Sequence, residues 1–187
     1  MDKKEVLEIH EVNEELFNLP LEEYILTFDD GLYTQYQYIN ELAKINTRKI
    51  FFISTWIVCP TLSLQSKEHI QCDAAHEYFF ETGDAMHYMT WDQIREIAET
   101  PNCEIGGHSH YHRDIETMEH KNKRSFFNRD TRLMKKAFSE ELGNQPKAFC
   151  FPYNYTEVLY NCVLQKYGFT EFFGKGRLRA YSLLEPR

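Results

Sequence analysis

The chain has 187 residues, enough for one domain with a sizeable core and too few for two comfortable ones. A hydrophobic share of 42% with 27% charged residues excludes a disordered chain, and no run approaches the ~18 apolar residues that span a bilayer. The net charge of −8 excludes the clustered basic surface that nucleic acid needs. The one basic concentration, Lys121, Lys123, Arg124, Arg129 and Arg132, reads as the solvated face of a helix and its approach.

The N-terminus, Met1-Asp2-Lys3-Lys4-Glu5, leads into an acidic stretch without the apolar core of a signal peptide, so the expected compartment is the cytosol. Tyr24–Phe28 predicts a strand. After Gly31, Tyr36, Ile39 and Leu42 recur at helical spacing. Ile50–Ile53 is a continuous apolar run, as expected of a strand buried on both faces. The stretch at about 56–89 reads as a long connection, with room for a short helix of its own.

Thr90-Trp91-Asp92-Gln93 has the form of a capping box opening a helix that Ile94, Ile97 and Ala98 continue. Cys103-Glu104-Ile105 predicts a short strand ending at Gly106-Gly107. A helix over Ser125–Leu142 presents Phe127, Met134, Phe138 and Leu142, with Gly143 just past its end. Ala148–Phe151 predicts a strand stopped by Pro152, Thr156–Tyr167 a helix, and Phe169–Phe173 another strand. Strand alternating with helix is the pattern of a parallel sheet wrapped by helices, as an open doubly wound sheet or a small barrel.

The five cysteines show neither paired spacing nor an even count, which argues against a disulfide framework. Cys103, Cys150 and Cys162 read as small buried apolar side chains.

Three motifs follow predicted strands: Thr27-Phe28-Asp29-Asp30-Gly31, His108-Ser109-His110-Tyr111-His112-Arg113-Asp114, and Phe151-Pro152-Tyr153. In a parallel sheet the C-terminal strand ends share one side, so three distant segments are expected to converge there. Adjacent aspartates repel unless one is protonated or a cation sits between them. One can ligate the cation while the other accepts a proton from water; Asp-Gly is equally a turn signal. His108 and His112, four apart, face one way on a helical turn, and with one Asp they make three ligands that leave a position open for water. His10, His69, His76, His87 and His120 read as solvent-facing or hydrogen-bonded; His69, Cys72 and His76 form a weaker alternative metal group in the long connection.

These motifs, in the frame H-[ST]-x-x-H-x-D for the second, resemble the polysaccharide deacetylase family, the NodB-homology group within carbohydrate esterase family 4. Met89–Ile94 and Glu104-Ile105-Gly106 share the likeness, which covers roughly residues 22 to 174. The resemblance implies an α/β fold, a single-domain, distorted (β/α)7 TIM-like barrel over 1–187. It implies a divalent metal, Zn2+ or else Co2+, Ni2+ or Mn2+, ligated by Asp30, His108 and His112. Asp29 is implied as general base, Ser109 as a positioner of the histidine loop, and the Tyr153 backbone N–H as an oxyanion donor. The implied reaction is removal of an N-acetyl group from an amino sugar in a surface polysaccharide or its precursor, such as a nucleotide sugar or lipid-linked glycan.

Departures from the family pattern define the alternatives. No His follows His120, so the late Leu-x-His acid is missing, as is the Arg that often precedes the Pro-Tyr pair. Asn154 stands where the family has Gly after the Tyr, and there is no Asp-x-x-Asp-Trp segment. Arg179–Arg187 looks like the closing strand of short family members. His87, His110, or Asp29 carrying its proton onward are the candidate acids. The competing readings are a catalytically weakened sugar-binding domain, a deformylase or esterase on the same scaffold, and an iron oxygenase with the same ligand set.

Overall fold

The apolar run at 50–53 forms, with Lys49, the central strand of a seven-stranded parallel sheet in the computed structural model, which describes residues 4–184. The strands are β1 (Val6–Ile9), β2 (Ile25–Phe28), β3 (Lys49–Ile53), β4 (Cys103–Gly107), β5 (Ala148–Cys150), β6 (Glu171–Phe173) and β7 (Leu178–Arg179). Their order is β6-β5-β4-β3-β2-β1-β7. Every residue of β3 is buried, as its unbroken hydrophobicity requires.

The sheet curls into a half-barrel, and chain length explains why. Six strand spacings would put β6 and β7 about 29 Å apart in a flat sheet. Only Gly174-Lys175-Gly176-Arg177 joins them, and the five steps from Phe173 to Leu178 reach at most about 18 Å. The two edges must therefore approach. The choice between open sheet and barrel falls to the distorted (β/α)7 barrel.

The helices are α1 (Tyr33–Gln37), α2 (Ile39–Leu42), α3 (Cys72–Thr82), α4 (Trp91–Glu99), α5 (His120–Leu142), α6 (Val158–Lys166) and α7 (Ala180–Leu184). The expected helix after Gly31 is broken at Tyr38 (φ −102°, ψ 18°). The capping box of α4 is present, with the Thr90 hydroxyl accepting from Gln93 N–H and the Gln93 side chain accepting from Thr90 N–H at 2.9 Å. Buried Phe127, Met134 and Phe138 seat α5 on the core, and Gly143 closes it at φ 68°.

Three expectations need correction. Strand β1 goes unpredicted because Glu8 interrupts its apolar pattern, yet that glutamate is 5% exposed and faces inward. The expected closing strand shrinks to β7, after which the chain turns into α7; Glu185–Arg187, like Met1–Lys3, lie outside the described residues. The long connection carries the helix it has room for, α3, whose Ala75 and Phe79 pack with Leu32, Ile57 and Tyr88 in a second apolar cluster. Cys103 and Cys150 are buried as expected, but Cys162 is exposed on α6. Among the described residues no helix is long and apolar enough to cross a membrane.

Candidate functional site

Because all the strands are parallel, their C-terminal ends form one rim. His10 follows β1, Asp29 and Asp30 follow β2, His108 follows β4, and Tyr153 lies just beyond β5. The cavity there encloses about 540 Å³ and is lined by all of these. Asp30 and Gly31 take left-handed backbone conformations, φ 72° and 79°, a turn that delivers the Asp30 carboxylate to the floor of the cavity.

His108 and His112 converge by a route other than the helical turn their spacing suggests. The segment is a loop, with left-handed Ser109 (φ 67°) and His112 (φ 48°). A buried carboxylate from α5 organises it: Asp130 accepts the backbone N–H groups of His110 and Tyr111 at 3.1 and 3.0 Å, and the Tyr160 hydroxyl at 2.7 Å. The Ser109 hydroxyl accepts His112 N–H at 2.8 Å.

Asp30 is the hub. Its Oδ1 lies 2.9 Å from His112 Nε2, 3.3 Å from His108 Nε2 and 3.5 Å from His76 Nε2. Burial opposes ionisation of Asp30, but the surrounding imidazoles of His76, His112 and His108 overcome it and hold the carboxyl well below the usual carboxylate range. Burial likewise opposes charging of His108, and Asp30 beside it reverses the sign, so its pKa rises. Burial dominates at His76, whose pKa falls to about 4.

The donor set fits a divalent cation. His108 Nδ1 lies 2.8 Å from the Cys150 carbonyl oxygen, which fixes a proton on that nitrogen, so that once the ring is neutral Nε2 turns a lone pair toward Asp30. Asp30 Oδ1 is buried and has no hydrogen-bond partner among the described residues. A divalent cation taking the place of the protons these groups share would turn the imidazole nitrogens and the carboxylate oxygen into ligands of one centre. The ligand atoms of Asp30, His108 and His112 all lie within 4.8 Å of one another. Asp30, His108 and His112 are thus brought together as the sequence suggests.

Asp29 lies beside this cluster in a different environment. Arg177 clamps it with two hydrogen bonds, Nη1 to Oδ1 at 2.8 Å and Nη2 to Oδ2 at 2.7 Å. The same guanidinium donates to Thr27 Oγ1 and to Asn154 Oδ1, and lies 3.4 Å from Glu8. Burial again opposes ionisation of Asp29, and Arg177 outweighs it, so its pKa is lowered. Sequence reading misses Arg177 because it sits in the β6–β7 link, far from any motif. Asn154 Oδ1 supports it at 2.8 Å.

Tyr153 reaches the rim with a left-handed backbone (φ 55°), and its ring lies 4.9 Å from that of His112. Among the expected acids, His87 and His110 do not line the cavity; His110 instead meets Thr55 Oγ1 at 2.8 Å. His69 is exposed, so the alternative group His69, Cys72 and His76 is not assembled. Cys72 and His76 face the site from one side of α3, and His10 joins them; His76 Nδ1 meets Cys72 Sγ at 3.6 Å, and His10 is partly exposed. The i, i+4 spacing of Cys72 and His76 was the available signal.

The family model for polysaccharide deacetylase matches residues 19–172. No curated protein sequence gives a match. Among solved structures, IcaB from Ammonifex degensii is similar with a TM-score of 0.64 at 18% identity, over 94% of this chain and 84% of that one. The BpsB deacetylase domain from Bordetella bronchiseptica gives 0.63 at 15% identity, over 94% and 93%. A CE4 family pseudoenzyme from Bacillus anthracis gives 0.51 at 13% identity, over 92% and 43%. At these identities the structures speak for the fold, and the match over most of the length decides the family: this chain belongs to the polysaccharide deacetylases.

Proposed function

We propose that the chain is a metal-dependent hydrolase that removes the acetyl group from an N-acetylated amino sugar. Membership of the family supports carbohydrate deacetylation. The observation that carries the finer reading is the pairing of two unlike carboxylates at one cavity: Asp30 grouped with the imidazole nitrogens of His108 and His112, and Asp29 beside it, outside that ligand group and held by Arg177.

Asp30, His108 and His112 would hold the cation. A divalent ion there supplies polarisation of the amide carbonyl and acidification of water. Asp29 takes the proton of the attacking water as its oxygen bonds to the acyl carbon. Arg177 keeps Asp29 ionised and aims it, at the cost of some basicity. The backbone N–H of Tyr153 donates to the developing oxyanion, a contribution of ~3–4 kcal/mol for a well-placed donor. When the C–N bond breaks, the amine needs a proton. With His87 and His110 away from the cavity, Asp29 hands over the one it took.

The substrate is an amino sugar bearing an N-acyl group, free, nucleotide-linked, lipid-linked or polymeric. Tyr153, Tyr155 and Tyr181 on the cavity wall offer aromatic faces for sugar rings. Incubating the metal-loaded protein with N-acetylated monosaccharides, nucleotide sugars and oligomers, with acetate as readout, tests the reading. Release from one class supports it. Binding of acetylated glycans without release from any would establish the sugar-binding alternative, and release of formate or of ester-linked acetate alone would redefine the acyl group.

A further inference from the structure

The two oxygens of Asp30 face two different donor sets. Oδ1 looks toward His108 and His112. Oδ2 looks the other way, toward Cys72 Sγ at 3.1 Å and His10 Nε2 at 3.7 Å. The ligand atoms of His10, Asp30 and Cys72 form a second group within 4.8 Å of one another. We propose that these three residues hold a second divalent cation, so that Asp30 bridges two metal positions.

The spacing suits a metal. With zinc–oxygen, zinc–nitrogen and zinc–sulfur bonds of about 2.1, 2.1 and 2.3 Å, tetrahedral ligands stand about 3.4 Å (oxygen to nitrogen) and about 3.6 Å (oxygen to sulfur) apart. The observed separations straddle those values.

The second position is also built into the fold. Glu11, one residue past His10, accepts the backbone N–H of Cys72 at the first turn of α3. That bond docks α3 on the loop after β1 and sets thiol and imidazole on the same side of Asp30. The cavity wall around them is acidic: Glu11 and Asp73 join Asp30, while Glu8 and Asp29 are already paired with Arg177. Two divalent ions bring four positive charges, and this wall offsets them. The thiolate favours Zn2+ or Co2+ over Mg2+ or Ca2+, and on binding its proton leaves to solvent.

His76 belongs to neither group of mutually close ligand atoms. Its Nε2 is 3.5 Å from Asp30 Oδ1, while its Nδ1 faces Cys72 Sγ at 3.6 Å, so its two nitrogens point at different centres. The inference goes beyond the deacetylase reading, because it holds whether or not the first centre hydrolyses anything.

The test is titration of the chelator-stripped chain with Co2+, followed by equilibrium stoichiometry and by the near-ultraviolet sulfur-to-cobalt charge-transfer band. Two equivalents are expected, one of them bringing the band. Cys72→Ser should lose the band and one equivalent while keeping the other, with a circular dichroism spectrum unchanged from the parent. His112→Ala should do the reverse, losing an equivalent but keeping the band. One equivalent without the band overturns the second position. So does one equivalent with it, which would make Cys72 a ligand of a single ion. A His112→Ala chain that still takes two equivalents leaves the second position standing and removes the proposed first centre instead.

Discussion

Arg177 and Asp29, 148 residues apart in sequence, meet in a two-bonded ion pair with both side chains under 5% exposed. The pair is what separates the two adjacent aspartates chemically. Asp30 has imidazoles for neighbours, and Asp29 has a guanidinium. Removing the guanidinium should therefore act on Asp29 and spare the cation.

For Arg177→Met, turnover should fall on the order of 100-fold, the scale of a misaimed catalytic group, while metal content stays at the wild-type level. Stability should also fall by about 3–5 kcal/mol, since Asp29 and Glu8 lose a buried partner. Arg177→Lys should recover part of the stability and little of the turnover, because an ammonium cannot make the parallel pair of bonds. The turnover number, bound zinc and the urea midpoint measure the three effects. An Arg177→Met chain with normal turnover would remove the positioning role.

Asp29→Asn keeps the shape and loses the proton acceptor. It should bind zinc as the parent does, with turnover lower by at least ~100-fold, the usual scale for a general base. Metal analysis beside initial rates checks this. Loss of metal in this variant would make Asp29 a ligand.

The paired glycines before His108 have unequal reasons to be glycine. A methyl on Gly106 would enter the ring of Phe52, which is fully buried on the neighbouring strand; one on Gly107 would meet Met134 Sδ at 2.7 Å. A flexible thioether yields more cheaply than a packed ring. Gly106→Ala should cost about 1–3 kcal/mol and Gly107→Ala less, read from urea unfolding. The opposite order would contradict this packing account.

His110 gives a pH signature outside the cavity. Burial, reinforced by Arg129, lowers its pKa from 6.5 to about 4. Between those values the unfolded chain binds more protons than the folded one, so His110's contribution is present above 6.5 and is lost as pH falls toward 4. Metal-free wild type should lose more urea stability than His110→Gln between neutral pH and about pH 4.5. Equal losses would assign the acid sensitivity elsewhere.

Much of this arrangement was legible in the chain. Asp30, His108 and His112 could be grouped because each follows an apolar strand, and parallel strands end on one rim. The same logic fails where the strand signal fails. No strand signal places His10 at the rim, because Glu8 breaks the pattern of β1; that glutamate is buried against Asn154 and Arg177 from across the barrel. Arg177 carries no local mark at all: its position follows from the short β6–β7 link that curls the sheet. The convergence of His108 and His112 was anticipated for the wrong reason, since left-handed Ser109 and His112 do what a helical turn was expected to do.

Under the proposed function, hydrolysis needs a cation at Asp30, His108 and His112 together with the uncoordinated, Arg177-held carboxylate of Asp29. The most direct measurement follows acetate release by wild type and Asp29→Asn, each stripped with chelator and then reloaded with Zn2+. Release by wild type should vanish on stripping and return on reloading, while reloaded Asp29→Asn, with the same zinc content, stays nearly inactive. Release that persists without metal, or at full rate without the Asp29 carboxylate, would contradict the account.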